Sequence, residues 1–288
     1  MKKTTLDEYE KAINRVIDYI NRHLYDNPGL KKLAEQANMS EFHFHRIFKV
    51  IIGENVGEYI GRIRLEDIAH RLRMTKSNLQ DIADRTGYGT KHALSKAFRK
   101  HFGISPSVYR KQSVDIFPFF KKKRTVDKLI PEIRQVEEKR VVYIRIMDWY
   151  GAPESYTRAW SQLGKFATKN KLLKSDTEYI GLSFDDPTIT PPDKCRFYAC
   201  FTTKDEIKPA GPFGIQLIKG GQYAVFTHHG AYQNLIDSYF YIYVTWLPDS
   251  GYRLSGTMSF EKYVNSLHNA KEEDLITEIY VPVIKSKK

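Results

Sequence analysis

Basic and aromatic side chains recur at helical spacing in two stretches fifty residues apart. Phe44, Arg46, Phe48 and Lys49 in the first match Leu94, Lys96, Phe98 and Arg99 in the second. Arg and Lys donate to guanine O6 and N7, Ser bonds bases or phosphates, and an aromatic edge meets a thymine methyl. Lys49, Arg99 and Lys100 are better placed for phosphates, which position a protein without reading sequence. Glu41 occupies the place of Lys91; it repels phosphate but accepts from cytosine N4. A different chemistry lies near the C-terminal end. Glu261 in Phe260-Glu261-Lys262-Tyr263 and Glu278 in Ile276-Thr277-Glu278-Ile279-Tyr280-Val281 each interrupt an apolar run. By strand alternation Glu261 shares a face with Tyr263, and Glu278 with Tyr280. A carboxylate beside an aromatic holds an organic cation by charge and by cation–π attraction. The same alternation also describes an outward polar position on a one-sided sheet. Sequence alone leaves both readings open.

The elements that position the basic residues read as helices. From Thr5 to about Tyr25, Leu6, Tyr9, Ile13, Val16, Ile17, Ile20 and Leu24 keep helical spacing, and Thr5 with Glu8 fits a capping box. Asn27-Pro28-Gly29 breaks the chain. Leu30 to Ala37 is a short helix with Leu33, Ala34 and Ala37 on one face, closed by Asn38. Ser40 caps the next helix, with Phe44, Phe48 and Ile51 inward and Gly53 at its end. The pattern returns with Ser77 and Gln80 as a second capping box, and with Leu79, Ile82 and Ala83 inward. The Gly87-Tyr88-Gly89 turn and a helix from Thr90 to Gly103 carrying Leu94, Phe98 and Phe102 complete it. A short helix, a tight turn and a second helix with a basic outer face is helix-turn-helix logic. The connecting helix, Val56 to Arg73, spans roughly 27 Å at ~1.5 Å per residue, toward the ~34 Å between successive major grooves.

The C-terminal part repeats a different unit. Residues 140–149, 178–184 and 196–201 read as strands, with a helix from Glu154 to about Asn170 carrying Tyr156, Trp160, Leu163 and Phe166. Residues 222–227, 252–263 and 275–283 read as strands, with a helix over 232–246 carrying Leu235, Tyr239 and Ile242. The order is strand-helix-strand-strand, twice. The expected fold is an N-terminal all-α domain with two helix-turn-helix units, then an α+β domain. The latter is a duplicated module with two antiparallel half-sheets and a cleft between them. The domains fall at 1–111 and 131–288, joined by a basic linker at 112–130. Phe117-Pro118-Phe119-Phe120 and Lys121-Lys122-Lys123-Arg124 mark that boundary. The basic run serves equally as a phosphate track or a solvated tether.

Charge supports the division. Of the net +12, the chain through Arg124 carries 25 basic against 14 acidic residues, and the rest carries 21 against 20. An excess confined to one domain points to nucleic acid. No apolar run of membrane-spanning length occurs, and the opening MKKTTLDEYEKA lacks the apolar core of a signal peptide. Cys195 and Cys200 sit five apart in a strand-like run, which argues against a disulfide and for a reducing cytoplasm. His43 and His45 cannot share a helix face, so no metal site is expected. No G-x-S-x-G, HExxH, P-loop or G-x-G-x-x-G is present, so no catalytic residue and no cofactor is expected.

The segments LKKLAEQANMSEFHFHRIFKVIIG and LQDIADRTGYGTKHALSKAFRKHFGISPSVYRK resemble the DNA-binding domain of AraC/XylS-type transcription regulators. The resemblance covers about residues 6 to 111. It implies that the exposed faces of the two recognition helices meet double-stranded DNA, through Phe42, His45 and Arg46 in the first and Lys91, His92, Ser95 and Lys96 in the second. It also implies that regulation is by activation and that RNA polymerase is a partner. DDPTITPPDKCRFYAC, GGQYAVFTHHGAYQNL, WLPDSGYRLSG, FEKY and TEIYVPV resemble the GyrI-like ligand-binding domain, over about residues 130 to 284. This resemblance implies a multidrug-sensing domain for bulky, cationic and aromatic small molecules, with Glu261 and Glu278 at its pocket. Trp149, Tyr223, Tyr232 and Trp246 are further wall candidates, each as fit for plain core. The expectation is therefore a non-enzymatic, ligand-responsive regulator in the cytoplasm, associated with the nucleoid. The alternatives are a GyrI-like hydrolase of reactive small molecules, or a gyrase- or polymerase-binding protein fused to a DNA-binding domain.

Overall fold

The computed structural model describes residues 3–75, 77–116, 128–208 and 210–286. Most of the expected linker, including the basic run 121–124, lies outside the described residues. The chain forms two compact units, one of helices and one built on a sheet.

In the helical unit, α1 (Lys3–Arg22) buries Ile13, Val16, Ile17 and Ile20. It starts ahead of Thr5, so Thr5 lies inside the helix and not at its cap. Next come α2 (Leu30–Ala37) and α3 (Glu41–Ile52). Asn38 takes the left-handed conformation (φ 55°) that turns one into the other, and the Ser40 hydroxyl accepts from the His43 amide. Ile52, not Ile51, is the buried residue of the last turn of α3. Helix α4 (Val56–Met74) opens on a capping box between Asn55 and Glu58. The second helix-turn-helix repeats the first as α5 (Leu79–Arg85) and α6 (Lys91–Phe102), followed by α7 (Pro106–Ile116). The cap of α5 is Asn78, whose side chain accepts from the Asp81 amide at 2.8 Å. Ser77 instead offers its carbonyl to Arg110. Gln80 ties the two helices, donating to the Gly89 carbonyl and accepting from the Lys91 amide, both at 3.1 Å.

The second unit contains β1 (Glu132–Val136), β2 (Lys139–Met147), α8 (Pro153–Lys169), β3 (Tyr179–Ser183) and β4 (Arg196–Thr202). Its second half contains β5 (Phe213–Ile218), β6 (Gly221–His229), α9 (Leu235–Phe240), β7 (Tyr252–Leu254), β8 (Phe260–Tyr263) and β9 (Ile276–Lys285). The chain leaves α9 through a π-helical turn, Tyr241–Trp246. The expected strand over 252–263 is divided, with Gly256 (φ 85°) in the break.

The strands run in the order β1-β6-β9-β8-β3-β4-β2-β5, with β7 paired to β9. The two half-sheets are therefore one continuous sheet, joined at β8–β3. Each half has given its first strand to the other: β1 pairs with β6, and β5 with β2. The sequence reading missed β1 and β5, which are short strands at the edges. From β3 onward the repeat step is 80 residues, while β6 follows β2 at 82. Tight turns at Pro192–Lys194 and Glu272–Asp274 correspond, as do Gly181 and Glu261. Gly181 and Glu261 also pair with each other across β3–β8.

Candidate functional site

Helices α3 and α6 present matching faces. Phe44 and Phe48 are buried in one, Leu94 and Phe98 in the other. Phe42, Arg46 and Lys49 are exposed, as are Lys91, His92, Lys96 and Arg99, while His45 and Ser95 are half-buried. Phe42 is 74% exposed, and the Arg46 guanidinium stacks over its ring at 5.7 Å. His43 turns the other way and meets the Tyr9 hydroxyl at 3.1 Å. Among the described residues, none of Arg46, Lys49, Lys91, Lys96 and Arg99 forms a salt bridge. These unpaired cations on two equivalent helix faces suit a polyanion.

In the sheet, register separates the two candidate acids. Residues directly opposite in an antiparallel pair share a face, and neighbours along a strand do not. Glu261 pairs with Ile279, and Lys262 with Glu278. Glu261 and Glu278 therefore lie on opposite faces and cannot line one pocket. The expectation that both hold a ligand is corrected here: sequence alternation fixes a face only within one strand.

Glu261 faces the helices. It is 6% exposed. The Tyr239 hydroxyl donates to Oε1 at 2.8 Å and the Tyr263 hydroxyl to Oε2 at 2.7 Å. Burial pushes its carboxyl up, against the lowering effect of those two bonds. Among the described residues no basic side chain pairs with it. The Tyr263 ring is 5.7 Å from Trp160 of α8 and 5.4 Å from Tyr232. Burial and the Glu261 charge hold the Tyr232, Tyr239 and Tyr263 hydroxyls above the usual phenol range. Gly181 makes this packing possible. A Cβ there would collide with the Tyr263 hydroxyl and lie 2.7 Å from the Phe197 ring.

Glu278 lies in a chain of charges on the other face. Arg134 donates to Oε1 at 2.8 Å, Tyr280 to Oε2 at 2.9 Å, and Lys262 is 3.4 Å away. Lys262 also meets Glu178 at 3.2 Å, and Glu178 meets Lys139 at 2.5 Å. Burial opposes the Glu278 charge, but Arg134, Tyr280 and Lys262 outweigh it and hold the carboxyl below its usual range. Burial and Glu278 push the Tyr280 hydroxyl up to about 12. This acid already has its cations.

The remaining wall candidates divide. Tyr232 joins the Glu261 cluster. Tyr223 is core on the Glu278 face, packed on Phe260 and Tyr280, with its hydroxyl donating to the Lys219 carbonyl at 2.8 Å. Trp246 packs edge-on against Phe226 at 5.0 Å. Trp149 is 50% exposed in the turn after β2. Sequence reasoning missed Tyr239, Trp160 and Gly181. The first two were legible as inward helix positions but not as partners of a particular strand residue. A glycine inside a strand was the one signal of close approach.

The GyrI-like small molecule binding domain family matches residues 130–284, more than half of the chain. The chain belongs to the GyrI-like family. Ahead of the GyrI-like domain, a helix-turn-helix domain family matches residues 33–112. Transcriptional regulator Rob of Salmonella typhimurium strain LT2 is 25% identical over 82% of this chain and 84% of its own length. The HTH-type transcriptional activator AarP of Providencia stuartii is 32% identical over 34% of this chain and 73% of its own. A solved EcmrR–DNA complex aligns with 89% of this chain and 99% of its own, at 18% identity and a TM-score of 0.49. This GyrI-like protein is a DNA-binding regulator of the AraC type with a small-molecule-binding domain. No helix among its described residues is long and apolar enough to cross a membrane.

Proposed function

We propose that this protein is a sequence-specific transcription activator whose GyrI-like domain responds to a monocationic aromatic compound bound at Glu261. One observation carries the ligand reading: a buried carboxylate with tyrosine donors and, among the described residues, no cation. A charge so placed is costly unless paired, so a cation that pairs it gains selectivity over neutral molecules. Tyr263, Tyr232, Tyr239 and Trp160 supply the aromatic wall, each ring adding ~0.5–2 kcal/mol of cation–π attraction. On the DNA side, Arg46, Lys91 and Lys96 read bases together with Phe42, His45, His92 and Ser95, while Lys49, Arg99 and Lys100 hold phosphates. Ligand acts by favouring one arrangement of the two domains over another. Activation is supported by similarity to the HTH-type transcriptional activator AarP, and a partnership with RNA polymerase, at the nucleoid in the cytoplasm, by the resemblance of the helical unit to AraC-type regulators.

The test is calorimetric titration of the full chain with a benzyl-trialkylammonium ion and with its uncharged carbon isostere. Binding of the cation alone, lost in Glu261→Gln and kept in Glu278→Gln, is the expected result. Equal binding of both compounds, or loss only in Glu278→Gln, sinks the assignment.

A further inference from the structure

The middle of α4 holds a buried ionic cluster that the DNA-reading residues do not explain. Arg62 is 8% exposed in its side chain, Glu66 5% and Glu54 12%. The Arg62 Nη2 donates to Glu54 at 2.6 Å, its Nε shares the same carboxylate at 3.2 and 3.3 Å, and its Nη1 donates to Glu66 at 3.1 Å. Burial opposes the guanidinium charge, yet the bond to Glu54 and the two acids hold it above its ordinary value.

The place of this cluster matters more than its strength. Glu54 sits between Gly53, which ends α3 in the left-handed region at φ 82°, and Asn55, which caps α4. Arg62 thus pins the α3–α4 turn to a point two helical turns along α4. The guanidinium also lies over the Tyr59 ring at 5.4 Å, and Tyr59 meets Phe48 of α3 edge-on at 5.6 Å. His101 of α6 lies within reach of the Arg62 charge. Partial burial and the Arg62 charge hold its imidazole below the usual range. His101 abuts Phe102, which packs on Phe98 at 4.5 Å. One guanidinium therefore touches the frame of the first recognition helix and lies within electrostatic reach of the second.

Buried ion pairs rarely add net stability over apolar side chains of similar volume; their best-attested use is to fix register. We infer that Arg62, with Glu54 and Glu66, is a positioning residue that sets the phase between the two recognition helices, and so the spacing between the two DNA blocks the protein accepts. The inference rests on the reading in which α3 and α6 each enter a major groove. One inserted base pair turns the second block by about 35° around the duplex. A rigid connector rejects that turn, and a loosened one follows it.

The experiment starts with full-length wild type, which selects its preferred duplex from a random pool. Binding is then measured to that duplex with one base pair inserted or removed between the two blocks. Wild type is expected to lose about tenfold in affinity per step, or ~1.4 kcal/mol. The Glu54→Leu, Arg62→Met, Glu66→Leu triple variant, with an unchanged or higher melting temperature, is expected to lose less than about threefold. An unchanged spacing penalty in the folded triple variant overturns the inference while leaving base reading intact. Where the triple variant does not fold, Glu54→Gln takes its place. A spacing penalty at least halved supports the inference, and an unchanged one overturns it. Enrichment by wild type of a single block, or of no sequence, overturns the two-helix reading and this inference with it.

Discussion

Glu261 and Gly181 face each other across the β3–β8 pairing, and each is the other's counterpart in the 80-residue repeat. Duplication put two equal positions side by side at the seam of the sheet. One acquired a carboxylate; the other has no side chain. The empty position admits the Tyr263 hydroxyl and the Phe197 ring, and Tyr263 in turn holds Glu261. The asymmetry makes one buried charge where symmetry would make two.

Gly181→Ala tests that relationship. The added methyl meets Tyr263 and Phe197 and drives the tyrosine off the carboxylate. Overpacking of this kind costs ~1–3 kcal/mol. We expect a lowered melting temperature and weakened binding of an organic cation, both restored in part by Tyr263→Phe. Calorimetry on the single and double variants checks this.

The Glu261 charge also makes a pH prediction. Burial raises this carboxyl, so the folded protein keeps its proton to a higher pH than the unfolded chain does. Stability then falls as pH rises from the unfolded Glu value through the folded one, and the loss persists above it. Glu261→Gln removes the loss. Its melting temperature should exceed that of wild type near neutral pH by a few degrees, at roughly 2–4 °C per kcal/mol. The difference should vanish below pH ~4, where both side chains are neutral. Melting curves across that range decide the point.

Glu278 carries the opposite sign. Its folded carboxyl lies below the usual range, so its contribution is present above the unfolded pKa and is lost as pH falls through the folded one. Glu278→Gln should destabilise near neutral pH by about 1 kcal/mol, a modest figure because the Arg134 side chain is 34% exposed to screening solvent. Cation binding at Glu261 should be untouched.

On the helical unit, Arg46→Ala and Lys96→Ala should each weaken binding to the selected duplex by ~1–3 kcal/mol and relax preference at one base pair. Lys49→Ala and Arg99→Ala should weaken binding to all duplexes alike and reduce the salt slope by ~1. Titrations at several salt concentrations separate the two classes. Equal salt slopes for all four variants would undo the division between base and phosphate contacts.

Much of the helical unit was legible in the sequence because its signals are local. Ser40, Thr90, Asn38, Gly53 and Gly103 act within a turn of their own position, and the inward residues of α3 and α6 follow one period. The sheet was legible only strand by strand. Phe260 to Tyr263 and Ile276 to Val283 declare themselves as strands, but nothing in either says that Lys262, not Glu261, stands opposite Glu278. Register is a relation between distant segments, and a slip of one residue exchanges the faces. For the same reason Arg134, on a short edge strand, gave no sign that it neutralises Glu278. Tyr239 and Trp160 gave none that they frame Glu261.

The exchange of first strands between the two halves has an architectural consequence. With β1 laid beside β6 and β5 beside β2, neither half closes its own sheet. A single module severed from its twin exposes the flank that a borrowed strand should cover, and its own first strand has no place to lie. Such a fragment has one good solution, a second copy of itself, trading strands as the halves now do within one chain. The present domain has the strand pairing of such a dimer within one chain, and only a single chain can place different residues, Gly181 and Glu261, at its two central positions.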